Sequence, residues 1–413
     1  MHAESSYVID GRRYRGDSPA LQAALANVYG TDERPRCQCV EQGVEMYVAQ
    51  HAQLVIKRMP GTGPAHHPSC PTYEPPASES GLGDLLGEAV IERGPERVEV
   101  RLDFPLAHVT VARPAQAAPA PSQSVSAAQR RLSMRGLLHL LWDRAGFSRW
   151  SPRMEGKRNW FVVRKYLLEA AGEIDAKGAP LAGRLFIPEP FRPDAADGLR
   201  SRRIAFFQAL RLDGSTEHVP LALIIAEVKD LIERGDQYAM VLKHLPDCAL
   251  MLDSATGRSL ARRFERELLA KAQQPDTRLL VGCTIRPAAE GLGHPDTLAM
   301  MTVTPEWLPF EHLLERALLG ELVRQRRRFL KPLPYEAGPS AALASALLLD
   351  AGDVPVPLYV EATSGAGYRT QTGDRRTALG SKPWIWRPGE ALAMPALPRP
   401  GGEIEHGHPI TPG

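Results

Sequence analysis

No stretch of this 413-residue chain approaches the ~20 consecutive apolar residues that a helix needs to cross a bilayer, which excludes a helical span and gives no reason to expect a membrane partner. The opening MHAESSYVIDGRRYRG has no apolar segment behind a basic cap, so no secretory signal is expected and the chain is expected in the cytoplasm. Cysteine is scarce: five residues, unevenly placed, cannot build a disulfide scaffold, and in a reducing compartment a tight cysteine and histidine cluster reads as a metal site. Excess charge of one sign is also missing. A formal net charge of +2 makes no global field, so an anionic partner has to be argued from local patches. Lysine is nearly absent, with nine of the 50 basic side chains, and the widely spread arginines read first as the mark of a GC-rich coding sequence. No internal repeat or heptad pattern is present.

What remains is the composition of a soluble globular protein, 43% apolar and 24% charged, long enough for two or three domains. The clearest boundary is ARPAQAAPAPSQSVSAAQ, residues 112–129, which has no large apolar group to bury and is expected to be a flexible linker. Residues 1–111 form the expected N-terminal module, in which MYVAQHAQLVIKRM reads as two strands meeting near His51 and RVEVRLDF as another. Over 130–320 a mixed helix and sheet domain is expected. It begins with the helices AQRRLSMRGLLHLLWDRAGF and KRNWFVVRKYLLEAAGEI, followed by strands at RIAFFQALRLD, PLALIIAEVKDL, YAMVLKH, RLLVGCTI and TLAMMTVT. The helix FEHLLERALLGELVRQRRRFL leads into a region at 321–395 with strands around ASALLLDAGDVPVPLYVEAT and PWIW, and 396–413 is a proline- and glycine-rich tail expected to be disordered. The fold class is α+β and multidomain.

Within GTGPAHHPSC, two histidines and Cys70 follow a turn, and RCQC places Cys37 and Cys39 ahead of the predicted hairpin. A hairpin brings the second pair back to the first, and a tetrahedral structural zinc takes its four ligands as two such pairs. The expected set is Cys37, Cys39, Cys70 and one histidine. His66 is preferred over His67 because its three-residue gap to Cys70 matches the wider spacing of histidine-containing fingers. A small module with little core needs such a staple. Nothing near it supplies a general base, so the zinc is read as structural. GTG at 61–63 lacks the following Lys-Ser or Lys-Thr of a P-loop and is read as a turn.

CQC, the 46–76 segment MYVAQHAQLVIKRMPGTGPAHHPSCPTYEPP, EVKDL, RRRFLKPLPY and PWIW together resemble a bacterial domain-of-unknown-function family with three cysteines near the N-terminus, encoded on conjugative plasmids and integrative elements. The resemblance implies a mobile-element setting and transfers no activity.

Two acidic stretches resemble the PD-(D/E)XK arrangement, in which carboxylates on a hairpin hold Mg²⁺ while a lysine positions water. In one, Asp213 precedes Glu227 and Lys229; in the other, Asp350 precedes Glu361, with Thr363 where lysine belongs and Arg369, Arg375 or Arg376 as alternative cations. Magnesium and a nuclease-like C-terminal α/β region, catalytic or degenerate, follow as expectations. Cations interleaved with tryptophan, namely Arg153, Lys157, Arg158, Arg164 and Lys165 with Trp150 and Trp160, and the run Arg326, Arg327 and Arg328, form two candidate nucleic-acid patches. The sequence therefore reads as a zinc-containing nucleic-acid-binding protein of a mobile element, with a degenerate or active nuclease fold. The alternative is an adaptor whose zinc module docks a protein partner.

Overall fold

In the computed structural model the described residues are 5–50, 53–94, 97–109, 130–212, 218–287, 292–335, 343–361, 380–389 and 393–401. The expected linker at 112–129 and most of the tail from 396 lie outside them, as do Asp213, His51, Thr363, Arg369, Arg375 and Arg376.

The centre is a seven-stranded sheet. Strands Leu245–Asp253, Gln237–Leu242, Ala222–Arg234, Arg278–Ile285, Pro295–Val303 and Pro309–Phe310 run antiparallel in that order, and Leu185–Phe186 adds in parallel to Ala222–Arg234. Alternation along Ala222–Arg234 explains why its sequence is apolar almost throughout. Leu223 and Ile225 face the helices Met134–Arg144 and Trp160–Gly172, whereas Ala222, Ile224, Ala226 and Val228 face the helices Ala196–Leu212 and Ser254–Arg263. An antiparallel sheet covered on both sides has no polar face to alternate with. RIAFFQALRLD, expected as a strand, is instead helical over 203–212, the second half of the helix Ala196–Leu212. Its buried residues Arg203, Phe207 and Leu210 recur at helical spacing, while the phenylalanine pair masks that period.

The helices beginning at Met134 and Trp160 stand where the sequence puts them, capped by Ser133 and Asn159, whose side chains accept from the backbone N–H of Gly136 and Val162. A second sheet pairs Val98–Val100 in parallel with Ile174–Ala176, joining parts of the chain that precede and follow residues 112–129 in sequence. The N-terminal sheet runs Arg12–Arg15, Ser6–Ile9, Arg36–Cys37, Val44–Gln50, Leu54–Arg58, and the helix Ala20–Val28 packs on it. The C-terminal sheet runs Trp384–Trp386, Val356–Val360, Ala346–Leu348, Phe329–Leu330, Arg149–Trp150. Its two faces bury different partners. Ala346, Leu348 and Leu358 meet the helix Leu313–Arg324 through Leu318, Leu319 and Leu322, while Leu347, Leu349 and Tyr359 meet Cys37, Met46, Cys70 and Tyr73 of the N-terminal module. The architecture is thus α+β with several sheets, and the module's core is shared with residues some 300 positions away.

The junction includes one backbone contact too close for a side chain. Gly81 ends the short helix Ala77–Ser80 with φ 85°, and a Cβ there would stand 2.0 Å from the carbonyl oxygen of Leu333. Gly81→Ala is expected to lower the unfolding free energy by about 2–4 kcal/mol, from the left-handed strain and the overlap together. Gly172→Ala, at a helical position with open space, is the control expected to be neutral or slightly stabilising. Urea melts of the two variants giving the same midpoint would remove this account of the junction.

Candidate metal centre

The ligand positions follow from local backbone needs. Cys37 lies in the short strand Arg36–Cys37, held between Tyr7 on one side and Val44 on the other, so its thiol is fixed by two strand pairings. Cys39 sits in the turn that leads to Val44–Gln50, which pairs antiparallel with Leu54–Arg58 as the expected hairpin. The chain then enters a one-turn 3₁₀ helix at Gly63–Ala65. Here glycine is required, because a Cβ on Gly63 would stand 2.6 Å from the Cβ of Glu74. His66 caps that turn, its N–H donating to the Gly63 carbonyl, and the next turn brings the Cys70 N–H onto the His67 carbonyl.

These turns bring Cys37, Cys39, His66 and Cys70 together, with one ligand atom from each inside 4.8 Å of every other. The Cys37 and Cys70 sulfurs are 3.7 Å apart, Cys70 Sγ is 3.7 Å from His66 Nδ1, and Cys39 Sγ is 3.2 Å from the same nitrogen. A tetrahedron with metal–sulfur bonds of about 2.3 Å has edges of about 3.75 Å, so the cluster has the dimensions that zinc requires. His66 is 2% exposed, and its Nε2 has no hydrogen-bond partner among the described residues. The ring is thus held by its Nδ1 side, which faces the sulfurs. His67 turns away: its Nδ1 meets the Ser69 hydroxyl at 2.7 Å and its Nε2 meets Asp353 at 3.4 Å. Of the two histidines left open by the sequence, His66 lies in the cluster.

The thiols are unequal. Cys70 is pushed down to about 3, first by the hydrogen bond from Cys37 and, against its burial, by those from His66 and Thr72. Cys37 is pushed far up, first as the donor to Cys70 and then by burial, and Cys39 is pushed up by burial. Thr72 Oγ1, 2.9 Å from Cys70 Sγ and 3.2 Å from His66 Nδ1, is a hydroxyl the sequence reading did not single out. It is the kind of neighbour that steadies a thiolate ligand.

The acidic candidates lie elsewhere, and Asp350, Glu361 and Glu227 belong to no group of three or more metal-ligating side chains among the described residues. Asp350 accepts from Arg327 Nη2 at 2.7 Å and from the Arg328 N–H at 2.8 Å; Glu361 accepts from Arg387 at 2.7 Å. Glu227, buried in the central sheet, accepts from Lys243 at 2.9 Å and Arg278 at 3.3 Å, while Lys229 is exposed beyond it at a bulge in the strand.

The basic candidates divide sharply. Arg327 is buried against Asp350, and Arg328 donates to the Ser69 carbonyl. Arg158 donates to the carbonyls of Phe147, Gly146, Glu306 and Arg149 and lies over the rings of Phe147 and Trp150. Arg164 donates to the Ile187 carbonyl at 2.9 Å, and Arg326 pairs with Glu155 at 2.7 Å. Arg153, Lys157 and Lys165 are exposed. Trp150 and Trp160 are buried, and the aromatics that reach solvent beside these cations are Phe161 and Tyr166.

Because Cys70 is held as thiolate while Cys37 and Cys39 keep their protons, loading the metal-free chain with zinc is expected to release about two protons per ion near neutral pH. Apparent affinity should then fall about 100-fold per unit of pH lost in that range. An indicator dye read during zinc titration checks this; release of three protons would mean that Cys70 is a thiol in the metal-free site.

No curated protein and no solved structure matches the chain. Residues 7–389 match the family described as protein of unknown function (DUF1173), a span that contains both the four-ligand cluster and the strand Trp384–Trp386, and the chain belongs to that family.

Proposed function

We propose that this chain is a structural zinc protein whose metal fastens the N-terminal module onto the C-terminal sheet, and that the body so assembled binds nucleic acid through the helix Trp160–Gly172 and the loop before it. The structural role of the zinc is supported by a closed set of three thiols and one imidazole, with no ligand position left for a reacting water. The binding reading rests on one observation. Phe161, 62% exposed, and Tyr166, 43% exposed, stand on the outer side of that helix together with Lys165, whose ammonium lies 5.4 Å from the Tyr166 ring centre, and Lys157 is exposed just ahead of it. Large aromatics held in water beside cations suit bases that stack and phosphates that pair. The upkeep or transfer of a mobile element is the setting in which such binding is proposed.

Binding is favoured over cleavage because Asp350, Glu361 and Glu227 each face arginine or lysine, and a carboxylate already neutralised by a neighbouring cation is a weak claimant for Mg²⁺. Those acids are assigned to holding the two sheets rather than to catalysis. The same exposed aromatics would also serve an adaptor docking a protein, so the test has to separate the two. Fluorescence anisotropy with labelled single-stranded and duplex oligonucleotides should show affinity that falls with salt, with a log–log slope reduced by about one or two in the double variant Lys157→Ala, Lys165→Ala. Phe161→Ala should weaken single-strand binding about tenfold, with zinc content unchanged. Affinity insensitive to salt and to these variants, together with a purified protein partner lost on Phe161→Ala, would transfer the function to the adaptor.

A further inference from the structure

Against the metal cluster lies a cavity of about 100 Å³ between the Cys70–Pro71 turn, the segment Arg149–Met154 and the strand start at Arg328. Three arginines line it, Arg149, Arg153 and Arg328, and among the described residues no aspartate or glutamate does. Gathering three guanidiniums around one small space is unfavourable unless a negative charge belongs there.

One negative charge at the Cys70 sulfur on the cavity wall answers at most one of the three, and the neighbouring carboxylates do not supply the rest. Asp350, next along the chain from the lining residue Leu349, spends both oxygens on Arg327 and the Arg328 N–H. Glu74 is 4.0 Å from Arg149 and forms its closer pair with Arg58. Arg149 and Arg328 are held rigidly, since Arg149 donates to the carbonyls of Pro71 and Tyr73 and Arg328 donates to that of Ser69. Each such bond occupies only part of a five-donor fork. Arg153 has no hydrogen-bond or ion-pair partner among the described residues. The fourth wall carries an independent sign of a missing acceptor: Trp150 is 4% exposed, lines the cavity, and its indole N–H is buried with no partner among the described residues. An unmade bond of that kind costs about 1–3 kcal/mol.

The geometry points to an oxyanion site: we propose that this cavity binds a phosphate group between Arg149, Arg153, Arg328 and the Trp150 indole N–H. The volume amounts to about three waters, room for one tetrahedral oxyanion and not for a nucleoside. Planar forks arriving from several directions suit phosphate, whose oxygens accept from all sides. The group can come from a nucleic-acid backbone or from a free phosphate or phosphomonoester. The site does not depend on the nucleic-acid reading above.

The test is calorimetric titration of the zinc-loaded full chain with inorganic phosphate. One saturable site is expected, weakened at least tenfold by Arg153→Ala and several-fold by Trp150→Phe, which removes the N–H donor together with part of the buried ring. Arg200→Ala, an exposed arginine on another helix, should leave it unchanged. Zinc content and circular dichroism of each variant report whether the fold is kept. A single-stranded oligonucleotide whose binding is displaced by phosphate and weakened by Arg153→Ala would identify the source as a backbone phosphodiester. Phosphate binding that the oligonucleotide does not displace would identify a free phosphate or phosphomonoester. Absence of saturable binding at millimolar phosphate, or binding equal in wild type, Arg153→Ala and Trp150→Phe, would overturn the proposal. Oligonucleotide binding that survives Arg153→Ala and depends on Phe161 would leave the nucleic-acid reading standing without this site.

Discussion

The C-terminal sheet must be covered on both faces, and the rest of the molecule is arranged around that requirement. Ala346 and Leu348 point to one side and Leu347 and Leu349 to the other, all within a few residues of one strand. The helix Leu313–Arg324 supplies the first cover from nearby sequence. The second cover comes from the opposite end of the chain, where Cys37, Val44, Met46, Cys70 and Tyr73 offer only a thin apolar surface. A layer that thin cannot hold its own turns in place by burial alone, and two of its five core residues are thiols of the four-ligand cluster. The cluster that could hold a metal ion and the hydrophobic cover are therefore parts of the same contact: the turns that gather its four residues also present the surface that the sheet needs.

Arginine carries a large share of the connection between these layers. Arg158, Arg149 and Arg328 donate into backbone carbonyls of turns, and Arg327 is buried against Asp350. Carbonyls left over where a chain turns without helix or strand partners need donors, and one guanidinium reaches several at once. The bias toward arginine over lysine, readable in the sequence as base composition, is put to structural use at these positions. A lysine at 158 could not donate to four carbonyls. The solvent-facing cations are fewer than the sequence pattern implies, because a basic run looks the same whether its charges face water or turn inward.

That Cys37, Cys39, His66 and Cys70 come together was legible in the sequence because their spacing is set around a hairpin, and hairpin and turns are local structures. The strands Ala222–Arg234, Gln237–Leu242, Arg278–Ile285 and Pro295–Val303 of the central sheet were legible for the same reason, whereas Leu245–Asp253 was not expected. The helix Ala20–Val28 carried a signal that could have been used, with apolar residues Leu21, Ala24, Leu25 and Val28 at helical spacing. Ala196–Leu212 was hidden by adjacent phenylalanines that fit a strand equally well. What could not be read was which side chains face water. Trp150 and Trp160 are buried while Phe161 and Tyr166 are not, and that outcome depends on layers brought from distant sequence. Asp350 likewise looked like a free acid until Arg327 was set beside it.

Charge explains why the metal centre and its arginine neighbours are compatible. Zinc with three thiolates and a neutral imidazole carries one net negative charge. Within the cluster the hydrogen bond from Cys37 favours the thiolate on Cys70, while burial favours the thiol on Cys39. Arg149 and Arg328 can fix the carbonyls of Ser69, Pro71 and Tyr73, and with them the turn that bears Cys70, before any metal arrives. The cost of ordering the turn that bears Cys70 is then met by bonds to the body of the protein. The arginine frame thus orders the turn that bears Cys70 in a cluster able to hold a metal ion, and the same turn covers the C-terminal sheet against which the frame is built.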